Sequence, residues 1–195
     1  MSVLFAGCGL FGMFSGGSGT VSLSLTDAPI ADAEDVEGVF ITIESIEYNL
    51  NDTWIEAAEF DGPQEFNLLE LTGGNVAPLA DTVIDAGEVT QIRFMLSAPE
   101  EGENASEEPD SYILIDPDGT ADGVDENDVK HELFVPSGGQ TGYKANGPFT
   151  VPANGTVEIT ADFDVRKSVI YRGNQAQENG SYLLKPTIRL IVNNQ

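Results

Sequence analysis

The chain has little cysteine, histidine, tryptophan or positive charge. Of its 195 residues, one is Cys (Cys8), one is His (His131) and one is Trp (Trp54). A single cysteine excludes an internal disulfide and any cysteine-based metal site. A single histidine excludes a histidine-cluster metal site and leaves a histidine relay without a reserve partner. Eight basic residues stand against 33 acidic ones, a net charge of −25, and no Lys or Arg precedes Arg93. Such a surface repels phosphate backbones, which excludes nucleic acid as a partner. It also repels anionic headgroups, so any membrane attachment is expected to be covalent rather than electrostatic. Strong acidity keeps a protein soluble and suits a saline or calcium-rich exterior. No segment approaches the roughly 20 apolar residues that a membrane-spanning helix requires. What remains is enough for one domain, because a chain of this length buries roughly 70% of its unfolded surface.

Cys8 follows Leu4-Phe5-Ala6-Gly7, an apolar stretch ending in a small pair. That is the pattern of a bacterial or archaeal lipoprotein signal. There is no basic n-region, and Val3 to Ala6 is too short for an h-region. The expectation is that Met1 lies inside a longer signal and that Cys8 becomes the lipidated end of an extracytoplasmic protein. The Gly/Ser-rich run through Gly16-Gly17-Ser18-Gly19 reads as a flexible tether. Leu10, Phe11, Met13 and Phe14 are expected either to lie on the membrane surface or to add a strand to a neighbour's open sheet edge. Residues 1–19 are thus a signal remnant and tether, and residues 20–195 a single domain with an acidic loop at about 99–130.

From Thr20 onward the hydrophobic period is two, the signature of strands. Val21, Leu23 and Leu25 alternate with serines, and Val39, Ile41 and Ile43 with Thr42 and Glu44. Asn51-Asp52 reads as a hairpin turn leading into Thr53 to Phe60. Phe66 to Leu71 reads as a short helical turn ended by Gly73-Gly74. Ile92, Phe94 and Leu96 face one way, and Gln91, Arg93 and Met95 the other. Tyr112 to Ile115 and Glu132 to Val135 are further short strands, and Phe149-Thr150-Val151-Pro152 leads into the turn Ala153-Asn154-Gly155. Val157 to Phe163 alternates cleanly, and the last strand is expected to run from Leu184 to Val192, with Pro186 marking an edge or a strand start. No sustained helical stripe appears. Seven to nine strands with Gly, Pro and Asn turns predict an all-β fold, an antiparallel β-sandwich.

Four phrases occur in order behind the Cys8 pattern. They are Ser24-Leu25-Thr26-Asp27-Ala28-Pro29, Asn146 through Ala153 (NGPFTVPA), Asp162-Phe163-Asp164-Val165-Arg166-Lys167-Ser168, and Leu184 through Leu190 (LKPTIRL). Together they resemble an uncharacterised family of prokaryotic lipoproteins, domain of unknown function 4382, over nearly the whole chain. The resemblance implies a secreted, lipid-anchored β-sandwich, similar to transthyretin-like or immunoglobulin-like domains. It implies no activity.

Two clusters invite chemistry. Glu100 to Asp128 holds twelve acidic residues and no basic one. Hard cations such as calcium take six to eight oxygens, and closely spaced Asp in a Gly-rich loop supplies them. Asp116, Asp118, Asp122, Asp125 and Asp128 are the candidate calcium ligands. The spacing departs from an EF-hand at Thr120, Ala121 and Asn127, which leaves an irregular calcium loop or a solvated acidic loop. The second cluster is a charged face. Asp162, Asp164 and Arg166 are expected on one strand face, with Lys167 beside them, and Lys185, Thr187 and Arg189 on one face of the last strand. If those strands are neighbours, the charges pair across the ladder, each pair contributing roughly 0.2–1 kcal/mol. Register-fixing salt bridges are the plainer reading and a ligand groove the functional one.

Catalytic signals are weak. With 33 acids, carboxylate pairs of the glycosidase kind arise by accident. No nucleophile-elbow motif surrounds Ser168 or Ser137, and His131 is expected at a strand start. Trp54, Tyr48, Tyr143, Tyr171 and Tyr182 are candidates for a sugar-stacking platform or, as is commoner in sandwiches, for core and edge cover. Sequons at Asn51, Asn104, Asn154 and Asn179 lie in turn-like sequence. The composite expectation is a non-catalytic binding or structural module of the cell envelope, lipid-anchored, with an envelope protein or polysaccharide as partner. The alternatives are a self-assembling surface or adhesion subunit and a carbohydrate-active hydrolase.

Overall fold

A computed structural model describes residues 16–27, 36–98, 109–119, 123–134, 141–172, 181–185 and 187–193. The Cys8 pattern and the apolar segment after it lie outside the described residues. Among the described residues thirteen strands form: β1 (Ser18–Asp27), β2 (Val36–Leu50), β3 (Thr53–Glu56), β4 (Gln64–Asn67), β5 (Ala77–Asp85), β6 (Gly87–Leu96), β7 (Tyr112–Ile115), β8 (Val129–Phe134), β9 (Tyr143–Val151), β10 (Thr156–Phe163), β11 (Val169–Arg172), β12 (Ser181–Leu184) and β13 (Ile188–Asn193). Among the described residues a 3-10 turn (Leu68–Leu71) and a helical turn (Val165–Ser168) interrupt them.

The all-β expectation holds, but the count of seven to nine strands was too low. Nor is the fold antiparallel throughout: β1 runs parallel to β10, β12 to β8 and β13 to β9. The strands follow one hydrogen-bonded path, β11-β12-β8-β7-β2-β6-β9-β13-β10-β1-β5, with β3 and β4 on the other side of the long β2. The expected last strand, Leu184 to Val192, is two strands. Ser181–Leu184 pairs with β8 and β11, whereas Ile188–Asn193 pairs with β10 and β9.

The path curls back on itself around one core. In a flat sheet, β6 and β10, three steps apart on the path, would lie about 14 Å from each other. Instead the Phe94 and Phe163 rings meet edge to face with centroids 5.8 Å apart. The inward residues of β1, β2, β6, β9 and β10 belong to a single buried cluster. Burial pushes the Tyr48 hydroxyl, on β2, up to about 12. The 3-10 turn closes one end, where the Thr26 hydroxyl donates to the Leu71 carbonyl at 3.0 Å. Asn67 caps this turn by accepting from the Leu69 amide. The β2–β3 hairpin turns through Asn51 and Asp52, both at positive φ (51° and 63°), as a two-residue primed turn requires.

Candidate functional site

The acidic loop is organised by a bulge in β2. Val36 pairs with Ile115 and Gly38 with Leu114, so Glu37 is the extra residue between two ladder positions. A bulge re-aims the side chain it carries. The Glu37 carboxylate accepts from the Gly123 amide at 2.9 Å, across 86 residues of chain. Carboxylate oxygens of Glu37, Asp116 and Asp128 lie within 4.8 Å of one another. Beside them an open cavity of about 340 Å³ is lined by Asp116, Pro117, Asp118, Asp125 and Asn127.

Local hydrogen bonds shape this corner. Asp116 Oδ1 accepts from the Asp118 amide at 2.9 Å, Asp128 from the Asp125 amide at 2.8 Å, and Asp125 from the Asn127 amide at 2.6 Å. The Asp118 amide draws the Asp116 pKa down. Burial, the Asp118 carboxyl and the Asp128 charge outweigh it, so the net displacement is upward. Burial and the neighbouring carboxylates both disfavour the ionised form of Asp116.

Of the five proposed ligands, Asp116 and Asp128 converge, and Asp118 and Asp125 line the adjoining cavity. Asp122 lies outside the described residues. Glu37 was not anticipated. It is far from the loop in sequence, and the bulge that aims it has no sequence mark beyond Gly38.

The charged face divides differently from expectation. Asp162 on β10 and Arg189 on β13 are register partners joined at 2.6 Å. They end a polar row across neighbouring strands through Asn146, Gln91 and Asn49 to Trp54. Gln91 donates to Asn146 at 2.6 Å. The Arg93 guanidinium pairs with Glu47 and lies over the Trp54 ring, 4.3 Å from its centroid. Asp164 and Arg166 are not on the β10 face, because the strand ends at Phe163 and Asp164 precedes the helical turn that contains Arg166 and Lys167. Lys185 is exposed between β12 and β13 and shares no strand with Arg189.

Three of the four phrases that carry the family resemblance, all but Asn146 to Ala153, meet at a buried polar joint. Asp27 is 5% exposed and accepts from the Val165 amide at 3.0 Å. The fully buried Ser168 hydroxyl donates to the Asp164 carbonyl at 2.6 Å and accepts from the Thr187 amide at 3.1 Å. The Lys185 amide donates to the Ser168 carbonyl, and the Asp164 amide to the Thr187 carbonyl. Ser168 is thus engaged in structure, and the His131 ring packs against Tyr182 at 5.5 Å. Ser137 lies outside the described residues.

Taken together, these features describe an all-β domain whose polar joint holds the strands in place and whose acidic corner is suited to a hard cation. The family model described as Domain of unknown function (DUF4382) matches residues 18–186, and the chain belongs to that family. No curated protein and no solved structure matches it.

Proposed function

We propose that this domain is a non-catalytic binding module of the cell envelope, lipid-anchored through Cys8 outside the cytoplasm and braced at its acidic corner by calcium. The observation that carries the reading is the convergence of Glu37, Asp116 and Asp128 in a chain of net charge −25. Crowded carboxylates are unfavourable alone and favourable around a divalent cation. Extracellular calcium sites work in the range of about 10⁻⁴–10⁻³ M, which matches millimolar calcium outside cells. Such a site, formed between β2 and the loop after β7, would lock the acidic loop to the sheet. The Leu4 to Cys8 pattern supports the anchor, and the structural use of Ser168 supports a non-catalytic role.

Calcium at several millimolar is expected to stabilise the domain by about 1–2 kcal/mol through mass action. In a thermal melt this is a rise of roughly 3–6 °C. Asp116→Asn and Glu37→Gln should each remove most of the increment without lowering the melting temperature in chelator. A wild-type curve unchanged by calcium would reject the site.

The anchor has its own test. Expressed from its native gene, the protein is expected in the membrane fraction with an acylated Cys8, and Cys8→Ser should release it to the soluble fraction. A wild-type product that is soluble and carries an unmodified thiol refutes the anchor.

A further inference from the structure

Of the four sequons in the sequence, Asn104 and Asn179 lie outside the described residues, and the fold gives the position of the other two. Asn51-Asp52-Thr53 carries β2 into β3, and Asn154-Gly155-Thr156 carries β9 into β10. These are the two sequons that end in threonine. Asn51 and Asn154 stand at positive φ (51° and 58°), a backbone region where Asn is enriched, so the turns alone account for the asparagines. They place no such demand on the residue two positions later. Asn51, Thr53, Asn154 and Thr156 are all exposed, and none of the four side chains makes a hydrogen bond to another described residue. The two turns also share one end of the domain. The Asn154 amide donates to the Ser18 carbonyl at 2.7 Å, and the Ala86 amide to the Gly17 carbonyl at 2.7 Å. A Cβ on Gly17 would lie 3.5 Å from the Asn154 side-chain nitrogen, and a Cβ on Gly87 would lie 3.5 Å from that of Asn51. The chain running back through Gly17 toward Cys8 thus leaves the domain beside both turns. Glu37, in the acidic corner, is near the opposite end of β2.

We propose that Asn51 and Asn154 are modification sites, each carrying an N-linked oligosaccharide transferred from a lipid-phosphate-linked donor outside the cytoplasm. The inference rests on the extracytoplasmic reading, because an Asn-X-Ser/Thr motif acts as an acceptor only in an exported chain. In the transfer, the Asn side-chain nitrogen bonds to the anomeric carbon of the first sugar. The anomeric C–O bond breaks, the lipid phosphate leaves with its electron pair, and the amide gives up one proton. No oxidant or reductant takes part. The hydroxyl two residues on belongs to the acceptor motif, and in both turns it is exposed together with the amide. Two bulky, solubilising groups at this end stand between the acidic domain and its anchor. They leave the acidic corner, near the far end of β2, uncovered.

The test is mass spectrometry of the full-length protein, expressed from its native gene in its own host, intact and after digestion with a glutamyl protease. Sugar mass on the peptides that contain Asn51 and Asn154 is expected in most copies. Thr53→Val should abolish it at Asn51 alone, and Thr156→Val at Asn154 alone. Thr53→Ser and Thr156→Ser keep the hydroxyl and should keep the sugar. These variants leave both left-handed asparagines in place, and valine suits a strand start, so all are expected to fold, checked by their thermal melts. An asparagine found bare in the wild-type protein overturns its site, and so does sugar that persists there in the valine variant. The same spectra report the state of Cys8. An acylated Cys8 with bare asparagines rejects the modification and leaves the anchored reading standing. Sugar at both sites with an unmodified thiol does the reverse.

Discussion

Phe163→Ala is expected to destabilise the domain by about 3–5 kcal/mol. Phe163 is fully buried at the end of β10, and its ring meets Phe94 of β6 at 5.8 Å with planes 74° apart. These two side chains hold together parts of the path that two intervening strands would otherwise keep apart. Truncation removes the transfer energy of the ring, the edge-to-face contact and the packing around the space left behind. For a chain of this size the melting temperature should drop on the order of 10 °C. Urea unfolding gives the comparison, with Val192→Ala as the control, since Val192 is 37% exposed. A Phe163→Ala loss below about 1 kcal/mol would mean that the sheet does not close tightly at this point.

The second large effect is expected at Asp27. Its Oδ1 accepts from the Val165 amide, 138 residues away, inside the structure. Asp27→Ala leaves that amide buried without its acceptor, which costs about 1–3 kcal/mol. Asp27→Asn keeps an oxygen in place and should lose less. The urea midpoints of the two variants measure the difference. If Ala and Asn behave alike, the Asp27–Val165 bond contributes nothing specific. The helical turn Val165–Ser168 opens at that amide, so the Ala variant is also expected to loosen the Ser168–Thr187 contact.

Much of the strand content was legible because a half-buried strand writes its burial into alternate residues. Val21-Leu23-Leu25, Ile92-Phe94-Leu96 and Val157 through Phe163 are all read correctly for this reason. β5 was missed for an equally physical reason. Its pairing with β1 shifts between Leu23 and Ser24, which places both Leu79 and Ala80 inward, while Thr82 is buried and Val83 is 58% exposed. A bulge breaks the period that the eye follows. The break between β12 and β13 was hidden because Leu184, Ile188 and Leu190 keep the period across a gap where the backbone changes partners. At the acidic corner, loop spacing pointed to Asp116 and Asp128. Glu37 was beyond reach, since only tertiary pairing of β2 with β7 brings it there. Tyr171 and Tyr182 stood among the aromatic candidates and pack against each other, but no local pattern tells them from Tyr48 in the core.

The parallel pairing of Thr20 through Asp27 with Thr156 through Phe163 bears on how the chain reaches this state. β1 precedes the other described strands, and one of its two neighbours, β10, comes late among them. Early in biogenesis it can zip only to β5, leaving a row of amides and carbonyls open until almost everything downstream is available. Contacts of such high sequence separation make for slow acquisition of order and long exposure of an unsatisfied edge. An unpaired strand edge held open over that interval favours aggregation.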